Sequence, residues 1–336
     1  MSPKINLGKF PDVVIQPGQI PIPGGSPDFK KLQEEVLQTT FKKYWDKIKG
    51  SPGTAISGLE EVKPGLGFCI HYQNGSIYYK QGVMAYVKGA ILARYKELGG
   101  PTSWLGFPIQ DEAPFDDGRV SLFEHGNIYW WSDLGAIDLK EVAVSYTGFH
   151  CFGETDEDQL SDSDEPYVVF GVITPTETQP PKRTPIYDDV DAGESRADNA
   201  IEIYRGKPFG ISISVVVMEY DEGDPDKYKA ELTELVSKLS AQLATAACAA
   251  NPTIGCAGGA LLVALSPAIT EAINSLLDLG DDKIGVDVVN LSPKDLIRLA
   301  TRTPLKFQLG VPCKLETGLI SGLGASYKVC LTVDAK

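Results

Sequence analysis

The chain has 336 residues, 43% of them hydrophobic and 23% charged. That is an ordinary globular composition, long enough for two domains with a core each. A formal net charge of -14 excludes nucleic acid, which needs basic patches, and excludes simple docking to anionic lipid unless a cation intervenes.

In chain order, residues 1–27 are rich in Pro and Gly and read as an extended segment without a charged-then-apolar leader. Over residues 28–48, Leu32, Val36, Leu37, Phe41, Tyr44 and Ile48 recur at helical spacing. They predict a helix that packs on the domain after it. An internal repeat follows: NGSIYYKQGVMAYVKG (74–89) resembles HGNIYWWSDLGAIDLK (125–140). Each copy reads as a glycine turn, an Ile-aromatic-aromatic strand, a second glycine and another strand. Gly75 and Gly126 stand where a hairpin turn asks for positive φ. Between the copies, residues 91–112 form a short predicted helix stopped by Gly99, Gly100 and Pro101.

LGG, then WLGFP, DE, a phenylalanine strand, HGNIYW and GA stand in that order over about residues 90–140. This order resembles the LGFP repeat. The upstream copy, residues 44–89, is degenerate and carries Leu66-Gly67-Phe68 in another register. The resemblance implies a module of secreted or envelope-associated proteins that binds a cell-wall polymer or surface polysaccharide. Trp104, Tyr129, Trp130 and Trp131 are then the candidate ligand-binding residues, by stacking on a sugar ring. The alternative is that they fill the small core of each repeat.

From residue 142, a predicted domain boundary at 140–143, the pattern becomes a series of short strands within 142–157, at 166–175, within 209–225, at 283–292 and in the two C-terminal segments. Such spacing predicts an antiparallel β-sandwich. Its acidic residues fall at strand ends. GETDEDQLSDSDEPY (153–167) holds seven carboxylates, DDVDAGE follows at 188–194, Glu219 and Asp221 begin a third group, and Asp281-Asp282 form a fourth. Calcium takes six to eight oxygen ligands, often from several loops. The order is similar to a C2-type domain, with Met218-Glu219-Tyr220-Asp221 opening the third calcium loop and Asp281-Asp282-Lys283-Ile284-Gly285 closing it. The departure is the long stretch between them, where a short loop is usual. The resemblance implies a Ca2+ site built from Glu154, Asp156, Asp162, Asp164, Glu219, Asp221, Asp281 and Asp282. The alternative is a set of solvated loops, or carboxylates capping local turns.

Residues 226–280 form a helical insertion. Tyr228, Leu232, Leu235, Val236, Leu239 and Leu243 recur at helical intervals, Asn251-Pro252 breaks the run, and no charge occurs from Leu239 to Thr270. This predicts an αα-hairpin packed on the sandwich. The alternative is a hairpin that contacts membrane lipid. Cys248 with Cys256, and Cys313 with Cys330, are the candidate disulfides. No GxSxG, HExxH or Walker A motif occurs, and His71, His125 and His150 show no metal-like spacing. They read as strand or turn residues.

The chain is therefore expected to be mainly β with α. Residues 28–141 form a helix plus two LGFP-like repeats of β-hairpins and helix. Residues 142–336 form a C2-like β-sandwich with the αα-hairpin insertion. The expected function is that of a non-enzymatic, calcium-binding protein, secreted or on the cell surface, that holds a wall or surface polymer. A membrane-active protein and a carbohydrate-active hydrolase are the alternatives.

Overall fold

The computed structural model describes residues 27–155, 164–175, 179–220, 226–250, 267–273, 275 and 283–336. The predicted N-terminal segment lies outside them, as far as residue 26. The described residues are mostly antiparallel β-sheet with a few helices. They fall into two compact units. One ends at Glu112 and takes in Val120–Trp130, and the other consists of Ala113–Arg119 and Trp131–Lys336.

In the first unit, helix α1 (Pro27–Lys47) buries only its second half: Leu37 and Phe41 are buried, while Leu32 and Val36 stay exposed. Strands β1 (Glu60–Lys63), β2 (Gly67–Tyr72), β3 (Gly75–Lys80) and β4 (Val83–Val87) follow as a meander in sheet order β1-β2-β3-β4. Side chains alternate across such a sheet. Phe68, Ile70 and Tyr72 of β2 and Ile77 and Tyr79 of β3 therefore share the face that packs with Phe41 and Tyr44 of α1. Cys69, His71, Ser76 and Tyr78 take the opposite face. There Tyr78 meets Tyr95 of helix α2 (Gly89–Glu97) edge-on, with ring centroids 5.5 Å apart. Past α2, Gly99 (φ 105°) and Gly100 (φ 63°) turn left-handed, which stops the helix where the sequence predicts.

The second copy repeats the meander with β5 (Ala113–Phe115), β6 (Gly118–Leu122), β7 (Asn127–Trp131) and β8 (Gly135–Leu139), in the order β5-β6-β7-β8. The glycine expectation needs correction. Neither Gly75 nor Gly126 has positive φ. Both positions are held free of side chain by close approach. A Cβ at Gly75 would stand 2.6 Å from the Val87 carbonyl oxygen, and one at Gly126 would stand 2.5 Å from the Trp104 ring.

The second unit carries two larger sheets. One has strand order β11-β10-β13-β14, from β10 (Pro166–Ile173), β11 (Lys182–Arg183), β13 (Ile211–Glu219) and β14 (Lys283–Leu291). The other has order β12-β9-β19-β17, from β9 (Val142–Gly153), β12 (Ser195–Gly206), β17 (Leu315–Glu316) and β19 (Ala325–Ala335), with β18 (Ile320–Gly322) also on β19. A short pair, β15 (Lys306–Gln308) and β16 (Val311–Cys313), forms a sheet of its own, with Val311 and Cys313 packed against Cys330 of β19.

Strands β10 and β13 are buried along their whole length, because both of their faces are covered. Tyr167, Val169, Ile173, Val216 and Met218 form one core with Leu232, Val236 and Leu243 of helix α3 (Lys227–Ala250) and with Ile269 and Ile273 of the helical residues 267–273. Phe170, on the opposite face, packs on Tyr146 of β9 with centroids 5.4 Å apart. A strand covered on both sides reads as a continuous apolar run, as YVVFGVI and ISISVVVM do. A capped helix, Pro293–Thr301, follows β14. Ser292 and Asp295 form its capping box, and Leu296 and Ile297 its buried face. No helix among the described residues is long and apolar enough to cross a membrane.

Candidate functional site

The two repeat copies match atom by atom around one glycine. In the second copy, Gly106 of the LGFP motif has φ 72°. Its carbonyl accepts a hydrogen bond from Tyr95 Oη at 2.7 Å. The next-but-none amide, Phe107 N, donates to Glu124 Oε2 at 2.9 Å, and Pro108 bridges to Phe123. In the first copy, Gly53 has φ 79°. Its carbonyl accepts from Trp45 Nε1 at 2.9 Å, Thr54 N donates to Gln73 Oε1 at 3.3 Å, and Ala55 bridges to Tyr72. The first-copy counterpart of the motif is therefore Pro52-Gly53-Thr54-Ala55, which corrects the assignment to Leu66-Gly67-Phe68. Those residues enter β2, where Gly67 lies against the Phe107 ring. The structural repeat is a helix, a left-handed turn, a glycine loop and four strands.

Of the four aromatic candidates, Tyr129 and Trp131 are buried and Trp130 is half-buried. An aromatic face for a sugar ring is left on Trp104, 44% exposed. Trp104 lies against the backbone of Gly126, in the same loop region as Glu124. Lys80 pairs with Glu124 Oε1 at 2.7 Å and stands 5.2 Å from the Phe107 ring centroid. Burial alone would push the Glu124 carboxyl up, but the Lys80 ammonium and the Phe107 amide outweigh it and hold the group below its ordinary value.

Of the eight candidate calcium ligands, Glu154, Asp164 and Glu219 are described. Asp156, Asp162, Asp221, Asp281 and Asp282 lie outside the described residues. The strand register brings the surrounding ends together: Pro166 at the start of β10 pairs with Glu219 at the end of β13, and Met218 pairs with Lys283 at the start of β14. Asp164 is 1% exposed. Its Oδ1 accepts from Thr155 N and Thr155 Oγ1, both at 2.9 Å, and its Oδ2 accepts from Tyr327 Oη. This carboxylate ties Thr155 to Tyr327 of β19. Glu219 Oε1 accepts from Glu165 N at 2.7 Å and so ties the residue before β10 to the end of β13. Glu154 Oε2 is buried and has no hydrogen-bond partner among the described residues.

A third cluster was not read from the sequence. Register places Glu60 of β1 opposite Cys69 of β2, and alternation puts His71 on the same face. Cys69 Sγ lies 3.9 Å from His71 Nε2, which lies 3.8 Å from Glu60 Oε2. His71 Nδ1 is hydrogen-bonded to buried Ser76 Oγ at 2.7 Å. Burial and then Glu60 push the Cys69 thiol up to about 11, against the opposing charge of Lys96. Burial and Lys96 lower His71, with Glu60 opposing them. The Cys-x-His pair at alternate strand positions was the available signal, but the carboxylate comes from a different strand.

Cys69, Cys151, Cys313 and Cys330 are free thiols. Cys313 and Cys330 are nevertheless in side-chain contact, and that hydrogen bond lowers Cys313 and raises Cys330. The Cys248 side chain and Cys256 lie outside the described residues.

In comparison with known families, residues 53–103 and 105–143 match the LGFP repeat. The two matched segments begin at the two equivalent glycine loops. No curated protein matches the chain.

Proposed function

We propose that the chain is a non-enzymatic binding protein, secreted or on the cell surface, whose LGFP repeats hold a cell-wall polymer or surface polysaccharide. The observation that carries this reading is Trp104. It is a tryptophan between the two matched segments, seated on the Gly126 backbone, with its ring partly open to solvent. An indole ring in that setting offers an apolar face to a sugar, and the neighbouring Glu124 and Lys80 offer polar partners for hydroxyls. The test is co-sedimentation with insoluble cell-wall polysaccharide. Trp104→Ala should lose binding while its melting temperature stays close to the parent's. Equal binding by the variant, or no sedimentation of the parent, sinks the reading.

The sheets of residues 142–336 are, in this reading, a C2-like sandwich carrying an αα-hairpin, joined to the repeats near residues 140–143. Calcium would bind where the strands end. The strand register that brings the starts of β10 and β14 to the end of β13, where Glu219 lies, supports this, as does the buried Glu154 Oε2. Asp164 already accepts from three donors and acts by tying Thr155 to β19. Calcium at a hundredfold excess over its dissociation constant would add about 2.7 kcal/mol. Melting of chelator-treated protein should rise on adding calcium, and Asp221→Asn with Asp282→Asn should abolish the rise. Unchanged melting at millimolar calcium ends this part of the reading.

A further inference from the structure

We infer that Glu60, Cys69 and His71 form a site for a zinc-like divalent transition ion on the first repeat, independent of polymer binding. One ligand atom from each of the three residues lies within 4.8 Å of the others. A tetrahedral zinc with ordinary bonds to sulfur, nitrogen and oxygen sets its ligand atoms about 3.4–3.6 Å apart. The observed 3.9 Å and 3.8 Å separations close to that spacing with small side-chain movements. The donors are a thiolate, an imidazole and a carboxylate. That mixed set favours zinc and its neighbours over calcium or magnesium, which take oxygen alone.

The imidazole ring is already oriented by its Nδ1 contact with Ser76 Oγ. In the tautomer that donates from Nδ1, the Nε2 lone pair faces Cys69 and Glu60. Such an outer partner fixes the tautomer of metal-ligating histidines. Ser76 is fully buried on β3, across from His71. Cys69 is buried, whereas the Glu60 side chain is half exposed. An ion would therefore enter from the Glu60 side, and its fourth position would remain open to water or an incoming donor.

The fold does not require these residues. The offset that carries Gly75 onto Gly126 carries Cys69 onto Val120 and His71 onto Leu122. The second copy builds the same meander with apolar side chains at both places. Lys96 is the opposing charge near the cluster. One divalent ion with a thiolate and a carboxylate is neutral, so the Lys96 ammonium faces no net positive charge there.

The test uses the reduced, chelator-treated full chain and cobalt as a spectroscopic stand-in for zinc. One equivalent of cobalt should produce a thiolate-to-cobalt charge-transfer band that zinc removes. Cys69→Ser should abolish the band, and Ser76→Ala should weaken binding by about 10- to 100-fold. The Cys313→Ser/Cys330→Ser double variant should keep the band, since the other thiol pair lies elsewhere. Should Cys69→Ser fail to fold, zinc must protect Cys69 of the parent chain from alkylation. The inference is overturned if the folded parent gives no band, if the band survives Cys69→Ser, or if zinc leaves Cys69 alkylation unchanged.

Discussion

Gly126→Ala tests whether close approach, rather than backbone conformation, keeps glycine in the repeat. The new methyl would stand 2.5 Å from Trp104 Cη2 and 3.0 Å from Leu105 Cδ2. Gly126 has no positive φ, so the backbone adds no strain. Overpacking costs about 1–3 kcal/mol where neighbours cannot yield. Trp104 is partly exposed and can swing outward, which places the expected loss at about 1–2 kcal/mol. In a Trp104→Ala background the methyl meets only Leu105, and about 1 kcal/mol of that loss should disappear as a coupling energy. Gly106→Ala is the contrast. Its φ of 72° puts a backbone cost of about 1–2 kcal/mol on any L-residue, to which the contact of the new methyl with Glu124 adds, and neither depends on the residue at position 104. Urea unfolding followed by far-UV circular dichroism gives each number from the midpoint shift at constant slope. The reasoning fails if Gly126→Ala costs the same with and without the Trp104 ring.

Further outcomes follow from other contacts. Tyr327→Phe removes a donor from buried Asp164 and should cost about 1–3 kcal/mol in chemical denaturation; a neutral result would mean that the carboxylate finds water. Ser292→Ala breaks the capping box of Pro293–Thr301 and should cost about 1 kcal/mol, measured the same way. Glu124 is held below its ordinary value of 4.5 in the folded chain, so its contribution is present above that pH and is lost as pH falls through the lowered folded value. Glu124→Gln should therefore flatten the acid limb of the stability curve below about pH 4.5, and an unchanged limb would remove Glu124 from the account. Oxidation by a small-molecule disulfide should join Cys313 to Cys330, two thiols giving one bridge and two reduced small thiols. Peptide mapping in which both cysteines remain alkylatable would count against that pairing.

Much of this architecture was legible in the sequence because each element has one dominant signal. The helical spacing from Leu32 to Ile48, the Ile-aromatic-aromatic strands and the apolar runs of β10 and β13 each state their period directly. What stayed hidden depends on pairing across elements. Strand β12, with its alternation interrupted by Arg196, Asp198, Glu202 and Arg205, carries mostly half-exposed or exposed side chains, so no buried face marks it. The helix at Pro293–Thr301 had a readable signal in Ser292, Pro293 and Asp295 that the strand pattern on either side masked. Glu60, Cys69 and His71 meet only once the β1–β2 register is known. Gly75 and Gly126 were identified as turn glycines for the wrong reason, because a steric neighbour from another segment leaves no mark in the local sequence.

The hydrogen bonds from Trp45 to Gly53 and from Tyr95 to Gly106 also set where this module can be cut. In each copy the side chain that seals the loop comes from the helix before it, upstream of that copy's own matched segment. An excision beginning at residue 53 or 105 would leave a carbonyl at the new edge facing an empty seat. A transplant beginning at Phe41 or Ile91, both buried, would carry its own plug. The portable unit is thus displaced by one helix from the stretch that sequence comparison recognises.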